Sequence, residues 1–131
     1  MKQPLLLCYN LSPDRLKKIS LAAMRFRIRV LAVKPEQYGA ALSQLCGLAE
    51  TGDPPAESPA FCDEMLVMAH FPPGLMEQLL AFMRRAAIAP VALKAVLTPT
   101  NMHWHSGQLH DELLKERQAI AQGEKAAHPG Q

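Results

Sequence analysis

The feature that most constrains the fold is an alternation of short apolar runs with stretches long enough to form a helix. The apolar runs lie at residues 5–9, 26–33, 65–69 and 91–97. The stretches between and after them carry apolar residues at helical spacing. The order β-α-β-α-β-α-β-α is what parallel strand pairing through crossover helices requires. The sequence therefore predicts an α/β fold.

Capping residues mark where the helices begin. Ser12 precedes Pro13, and Ser106 precedes the last amphipathic stretch. Serine is one of the residue types preferred immediately before the first turn of a helix. Pro35 starts a second helix whose apolar positions continue to Leu48. The third helix follows Pro72-Pro73-Gly74.

The charges on the strands predict their order. The first and third strands are apolar throughout, as expected of strands covered on both faces. The second carries Arg27 and Arg29 and the fourth carries Lys94, which suits edge positions. We expect a small, mostly parallel, four-stranded sheet of order 2-1-3-4 with helices on both faces, in which strands one and three are parallel. A ferredoxin-like α+β sheet is the alternative, with the second helix inserted between paired strands. The sequence shows no internal repeat.

Length and composition are those of one globular domain. The chain has 131 residues, of which 49% are hydrophobic and 20% are charged. We expect a single α/β domain over residues 1–122 and a disordered tail over 123–131, where polar residues dominate. The three cysteines, Cys8, Cys46 and Cys62, are odd in number and widely spaced, which favours reduced thiols and a cytoplasmic location. The N-terminal apolar run is too short for a signal peptide or a membrane span.

The basic residues are unevenly distributed. The net charge is only +2, yet half of the 14 Lys and Arg residues lie between Arg15 and Lys34. We interpret this basic stretch as a solvated helix face that runs into an edge strand, and we expect no nucleic-acid and no membrane partner. An anionic partner is the alternative.

No motif for a cofactor or a metal is present. The segment after Cys8 lacks the glycines that fold a backbone around phosphate, and Arg15 falls one residue too late for a phosphatase loop. His103, His105 and His110 are not spaced as zinc ligands on one helix. We therefore expect no cofactor and no metal.

The topology itself points to a candidate ligand-binding site. In an open parallel sheet, ligands bind beyond the carboxyl ends of the strands, beside the point where the strand order reverses. If strands one and three are parallel, this rule gathers polar residues along one edge, with the only tryptophan close by. They are Asn10, Ser12, Lys34, His70, Thr98, Thr100, Asn101 and Trp104. The alternative is that these are turn and cap residues that bond to the backbone.

Two segments resemble a known family. They are Glu64-Met65-Leu66-Val67-Met68 and Leu93-Lys94-Ala95-Val96-Leu97-Thr98-Pro99-Thr100-Asn101, with Trp104 just beyond. In these segments the chain resembles a bacterial family known as domain of unknown function 3783, and the similarity extends over most of residues 4–116. The resemblance implies a compact α/β domain in a bacterial cytoplasm. It transfers no catalytic residue, because the family has no established activity.

The sequence leaves two functions open. The first is a non-enzymatic binding or regulatory domain that recognises a protein partner or a small anionic ligand. The alternative is a small enzyme that uses His70 as an acid or base beside Thr98 and Thr100. A deep pocket at the site favours the enzyme, and a flat apolar patch favours the interaction domain.

Overall fold

The computed structural model describes residues 3–47 and 61–127, with side chains described as far as residue 120. Four strands form one sheet in the order β2-β1-β3-β4. The strands are β1 (Leu5–Tyr9), β2 (Arg29–Val33), β3 (Met65–Ala69) and β4 (Leu93–Val96). The predicted strand order and the edge positions of β2 and β4 are therefore confirmed.

The helices are α1 (Pro13–Arg25), α2 (Leu42–Leu45), α3 (Leu75–Arg85) and α4 (Ser106–Ala127), and 3-10 turns occupy Pro35–Gln37 and Asn101–His103. Ser12 caps α1 as the sequence predicts, because its hydroxyl accepts a hydrogen bond from the Arg15 N–H at 3.3 Å. The helix α4 includes 123–127, the first part of the predicted tail, and residues 128–131 lie outside the described residues.

Both faces of the sheet are covered, as the apolar strands predict. On one face, Leu6 and Met68 pack with α1 and α3 in a core that includes Ile19 and Leu79. On the other face, the alternate strand residues pack with α2 and α4 through Leu42 and Leu109. Each fully buried Leu or Met contributes about 1.5–3 kcal/mol of hydrophobic stabilisation. The two cores fix which side of every strand faces which helix layer.

The direction of the two central strands differs from the expectation. β1 is parallel to β2, and β3 is parallel to β4. β1 and β3 are antiparallel, with Tyr9 opposite Met65 and Leu5 opposite Ala69. The expectation that strands one and three are parallel is therefore wrong, although two of the three strand pairs are parallel.

The second helix is much shorter than the sequence predicts. A turn at Gly39 separates the 3-10 turn from α2, which ends just before Gly47. At 1.5 Å per residue the four residues of α2 advance only about 6 Å, whereas a five-residue strand spans roughly 16 Å. β3 begins at the end of the sheet where β1 and β2 finish.

The structure contains an internal repeat that the sequence does not reveal. Both halves have the order strand, helix, strand, 3-10 turn, helix. Asn10 and His70 directly follow β1 and β3 and have left-handed φ angles of 60° and 62°. Arg27 and Ala87 follow α1 and α3 with φ angles of 58° and 59°. Two units with the same order of elements are thus joined through the antiparallel pair β1 and β3.

The same hydrogen bonds end α1 and α3. Arg27 N–H donates to Met24 C=O and Ile28 N–H to Ala23 C=O, and the equivalent bonds join Ala87 to Arg84 and Ile88 to Met83. This is the Schellman arrangement, in which the residue after the C-cap adopts a left-handed conformation. Glycine usually occupies that position, but arginine and alanine occupy it here. The two caps therefore share a geometry without sharing a residue type.

Candidate functional site

The antiparallel central pair divides the predicted site residues between two ends of the sheet. Asn10 directly follows β1, Ser12 precedes α1, and Lys34 directly follows β2. These three residues lie at the end of the sheet where β1 and β2 finish. His70 and Thr98 lie at the opposite end, where β3 and β4 finish. The expectation that all these residues share one edge is wrong, because it depended on a parallel β1 and β3. Ligand binding by the individual residues remains a prediction.

The Asn10 side chain is fully used in holding the backbone together. Its Nδ2 donates to the carbonyls of Phe61 at 2.8 Å and Asp63 at 3.0 Å. Its Oδ1 accepts a 3.0 Å hydrogen bond from the Tyr38 hydroxyl. Lys34 also has a structural role, since its backbone N–H donates to Gln37 Oε1 at 2.9 Å at the start of a 3-10 turn. Asn10 thus connects β1 to the segment before β3 and to Tyr38, and Lys34 supports the turn after β2.

A cluster of aromatic rings and carboxylates lies beside Asn10, and the sequence did not predict it. The Phe61 ring stacks on His110 with a centroid distance of 4.1 Å and on Tyr38 with 4.6 Å. His110 Nε2 lies 2.7 Å from Asp63 Oδ2, and its Nδ1 lies 3.7 Å from Asp111 Oδ1. Since each nitrogen of this nearly buried ring faces a carboxylate, His110 anchors α4 to the segment before β3. No short-range pattern connects residues so distant in sequence.

His70 is poorly placed for acid–base catalysis. Its Nε2 is shielded from solvent and has no hydrogen-bond partner among the described residues. The ring borders a hollow of about 260 Å³ with Gln3 and Arg29. A general acid or base is usually oriented by a hydrogen bond, and among the described residues Nε2 has no such partner. The geometry gives no support to the proposed enzymatic role.

Cys8 is equally unsuited to chemistry. The side chain lies in the core of the α1 and α3 face with 2% exposure. Burial raises the pKa of the Cys8 thiol to about 12, because the thiolate loses its hydration there. Within the described residues, no group of three or more His, Cys, Asp or Glu side chains is placed to hold a metal ion.

Thr98 and Asn101 shape the turn after β4. Thr98 N–H donates to Asn101 Oδ1 at 2.8 Å, and Asn101 N–H donates to Thr98 Oγ1 at 3.0 Å. Asn101 Nδ2 also donates to the Val96 carbonyl at 3.0 Å. Asn101 is buried, at 8% exposure. These bonds confirm that the two residues serve the backbone, and they place Asn101 at one end of an edge strand.

The outer edge of β4 presents backbone groups to the surroundings. Leu97 N–H donates to Met68 C=O, so Leu97 and Ala95 direct their backbone groups towards β3. Lys94 and Val96 alternate with them and direct theirs outwards. Asn101 occupies the Val96 carbonyl, and Arg117 Nη1 lies 3.5 Å from the Ala92 carbonyl farther along the edge. The Lys94 N–H and C=O and the Val96 N–H lie between these two contacts.

Two hollows flank this edge. On the α3 side, a hollow of about 420 Å³ has the apolar residues Leu80, Met83 and Ile88 in its wall. On the α4 side, a groove of about 380 Å³ runs between β4 and α4. That groove brings together four of the predicted site residues with two carboxylates. They are Thr98, Thr100, Asn101, Trp104, Glu112 and Glu116.

The α4-side groove is acidic along its outer wall. Glu112 and Glu116 lie one helical turn apart on α4. Lys115 Nζ lies 3.5 Å from Glu112 Oε1 and forms an exposed ion pair with it. The Lys94 ammonium is turned towards the Val91 carbonyl at 2.6 Å. The groove therefore offers carboxylates, an indole and threonine hydroxyls beside open backbone groups.

These features define a small α/β protein of two joined units, with an open and grooved edge strand on the second unit. Residues 64–120 match the family described as Domain of unknown function (DUF3783), which confirms the resemblance for that part of the chain. The matched range lies in the second unit and covers less than half of the chain. No curated protein and no solved structure matches the chain. No helix within the described residues has the length and apolar character to cross a membrane.

Proposed function

We propose that the protein is a non-enzymatic interaction domain that binds an extended segment of a partner protein as a fifth strand beside β4. The observation that carries the proposal is the open edge at Lys94 and Val96 with a hollow on each face. In strand addition, backbone hydrogen bonds provide affinity, and pockets for alternate side chains provide specificity. Val96 is 43% exposed, as expected for an edge that gains a neighbour.

The two hollows define the chemistry of the segment. Successive side chains of a strand point to opposite faces of the sheet. One set of side chains therefore enters the apolar hollow beside Leu80 and Met83, and the other faces Glu112 and Glu116. The segment that fits best alternates apolar with basic residues. Asn101 and Arg117 limit the paired length to a few residues.

Trp104 provides a direct test, because it is the only tryptophan and it lines the groove. The probe is the acetylated peptide Val-Lys-Val-Lys-Val, and the control peptide is Val-Glu-Val-Glu-Val. We expect the lysine peptide to shift the Trp104 emission and the glutamate peptide to have no effect. Equal responses to both peptides, or no response to either, would contradict the proposal.

A matched set of variants separates backbone pairing from side-chain contact. Val96→Pro removes the outward N–H, and proline is tolerated on an edge strand when its nitrogen faces outwards. Val96→Thr keeps that N–H and the β-branched shape. We expect Val96→Pro to weaken peptide binding about tenfold, as the loss of a hydrogen bond of about 1–1.5 kcal/mol implies. Val96→Thr should bind the peptide like the wild type, and equal binding by Val96→Pro would overturn the proposal.

A further inference from the structure

A second surface, on the helix layer away from β4, has a composition that the proposed function does not explain. Five exposed residues of α1 form a continuous stripe with spacings of one, three and four. They are Lys17, Lys18, Leu21, Met24 and Arg25. Leu21 is 57% exposed and Met24 is 68% exposed, and their spacing of three places these two large apolar side chains beside each other on the surface of α1. This stripe contains part of the basic stretch seen in the sequence.

Three residues of the stripe, Lys18, Leu21 and Arg25, line a groove between α1 and α3, and Met24 lies on α1 outside that lining. The groove has a volume of about 360 Å³, and its floor includes Ala22, Phe82 and Ile88. The Arg25 guanidinium lies 4.8 Å from the centroid of the Phe82 ring, so the arginine is held at the rim by a cation–π contact. The two helices thus form a channel of the kind that receives a third helix in a helix-in-groove complex.

The charges around the groove select its occupant. Lys18 and Arg25 line the groove, and none of the described residues that line it is acidic. Asp14 pairs with Lys18 at 3.2 Å near one end, on an exposed part of α1 where such pairs contribute little. Arg85 adds a further exposed cation at the C-terminal end of α3. A partner that buries Leu21 and Met24 must therefore bring carboxylates to the rim.

We infer that the α1 and α3 groove is a second protein-binding surface, which takes an amphipathic helix with an apolar stripe flanked by acidic residues. The apolar face of the partner helix covers Leu21 and Met24, and the carboxylates on the flanks of that helix pair with Lys18 and Arg25. The inference does not depend on strand addition at β4, because the described residues that line the groove include none of β4 and share only Ile88 with the hollow on the α3 side of that edge.

Binding of a synthetic helix tests the inference. The probe is a fluorescent amphipathic peptide with leucines on one face and glutamates on the flanks, and the control peptide has lysines in place of the glutamates. We expect the glutamate peptide to bind and its affinity to fall with added salt, because exposed charge pairs are screened. The lysine peptide should not bind.

Two pairs of variants locate the site. Met24→Glu is matched by Ile120→Glu, since Ile120 is 62% exposed on α4. Arg25→Glu is matched by Lys115→Glu, which makes the same charge change on an exposed residue of α4. We expect Met24→Glu and Arg25→Glu each to weaken binding by about tenfold or more, and the α4 variants to stay within about twofold of wild type.

Other occupants give different outcomes. Vesicles of phosphatidylserine and phosphatidylcholine, and single-stranded RNA, are titrated with the same variants. Tighter binding of either one than of the glutamate peptide, lost in Met24→Glu, would assign the surface to that ligand and overturn the inference. Absence of binding by the glutamate peptide, or equal losses in the α1 and α4 variants, would also overturn it.

Discussion

Asn101 Nδ2 donates a 3.0 Å hydrogen bond to the carbonyl of Val96, and this contact closes one end of the edge strand β4. Asn101 is buried, its Oδ1 accepts a hydrogen bond from the Thr98 N–H, and its backbone N–H donates to Thr98 Oγ1. The Asn101 side chain therefore connects the turn after β4 to the edge of the sheet. Because β4 is capped at a defined residue, we expect it to pair with a short segment in a single register. The cap also opposes the addition of long strands to this edge.

The first prediction concerns the stability of this turn. Asn101→Ala removes two hydrogen bonds and leaves the Val96 carbonyl and the Thr98 N–H without their partner. We expect a loss of about 2–4 kcal/mol in the free energy of unfolding, measured by urea denaturation. Thr100→Ala is the control, since Thr100 is exposed, and it should change stability by no more than about 0.5 kcal/mol. Similar losses in both variants would show that the Asn101 bonds do not support the fold.

The second prediction concerns the left-handed residue that ends α3. Ala87 has a φ of 59°, which costs an L-residue about 1–2 kcal/mol relative to a right-handed conformation. Ala87→Gly removes that strain, and we expect a stabilisation of about 0.5–1 kcal/mol after the entropy of glycine is included. Ala86→Gly, at a φ of −82°, should instead destabilise the protein. A destabilising Ala87→Gly would contradict the Schellman geometry.

The third prediction concerns pH. The folded protein holds the Cys8 proton up to a pKa of about 12, whereas the thiol of the unfolded chain titrates near 9.0. Above the lower value the unfolded state binds fewer protons, so stability falls as pH rises, by up to about 1.4 kcal/mol per pH unit. Between about pH 8 and pH 10, we expect Cys8→Ala to have a flatter stability profile than wild type. Cys62→Ala, at an exposed position, should keep the wild-type slope.

The sequence predicts most local features of the fold and few of its long-range ones. The apolar runs at β1 and β3, the Ser12 cap and the edge positions of β2 and β4 follow from burial and capping, which are local properties. A fully buried strand has the same pattern in either direction, so its sequence does not show that β1 and β3 are antiparallel. Gly39 was the available signal for the interrupted second helix.

The candidate site was predicted only in part for the same reason. Thr98, Thr100, Asn101 and Trp104 are close in sequence, and the structure brings them into one groove. Glu112 and Glu116 join them only because α4 folds back along β4. The cluster of Phe61, Asp63 and His110 depends on contacts between residues 47 or more positions apart, and residue spacing gives no indication of them.

Hydrogen exchange at the edge of β4 tests strand addition most directly. The amide protons of Lys94 and Val96 are followed by NMR in the free protein and with saturating Val-Lys-Val-Lys-Val peptide. Strand addition predicts that both amides exchange about tenfold more slowly or more with peptide, while amides of the opposite edge strand, β2, are unchanged. Unchanged exchange at Lys94 and Val96 with the peptide bound, or equal slowing along β2, would contradict it.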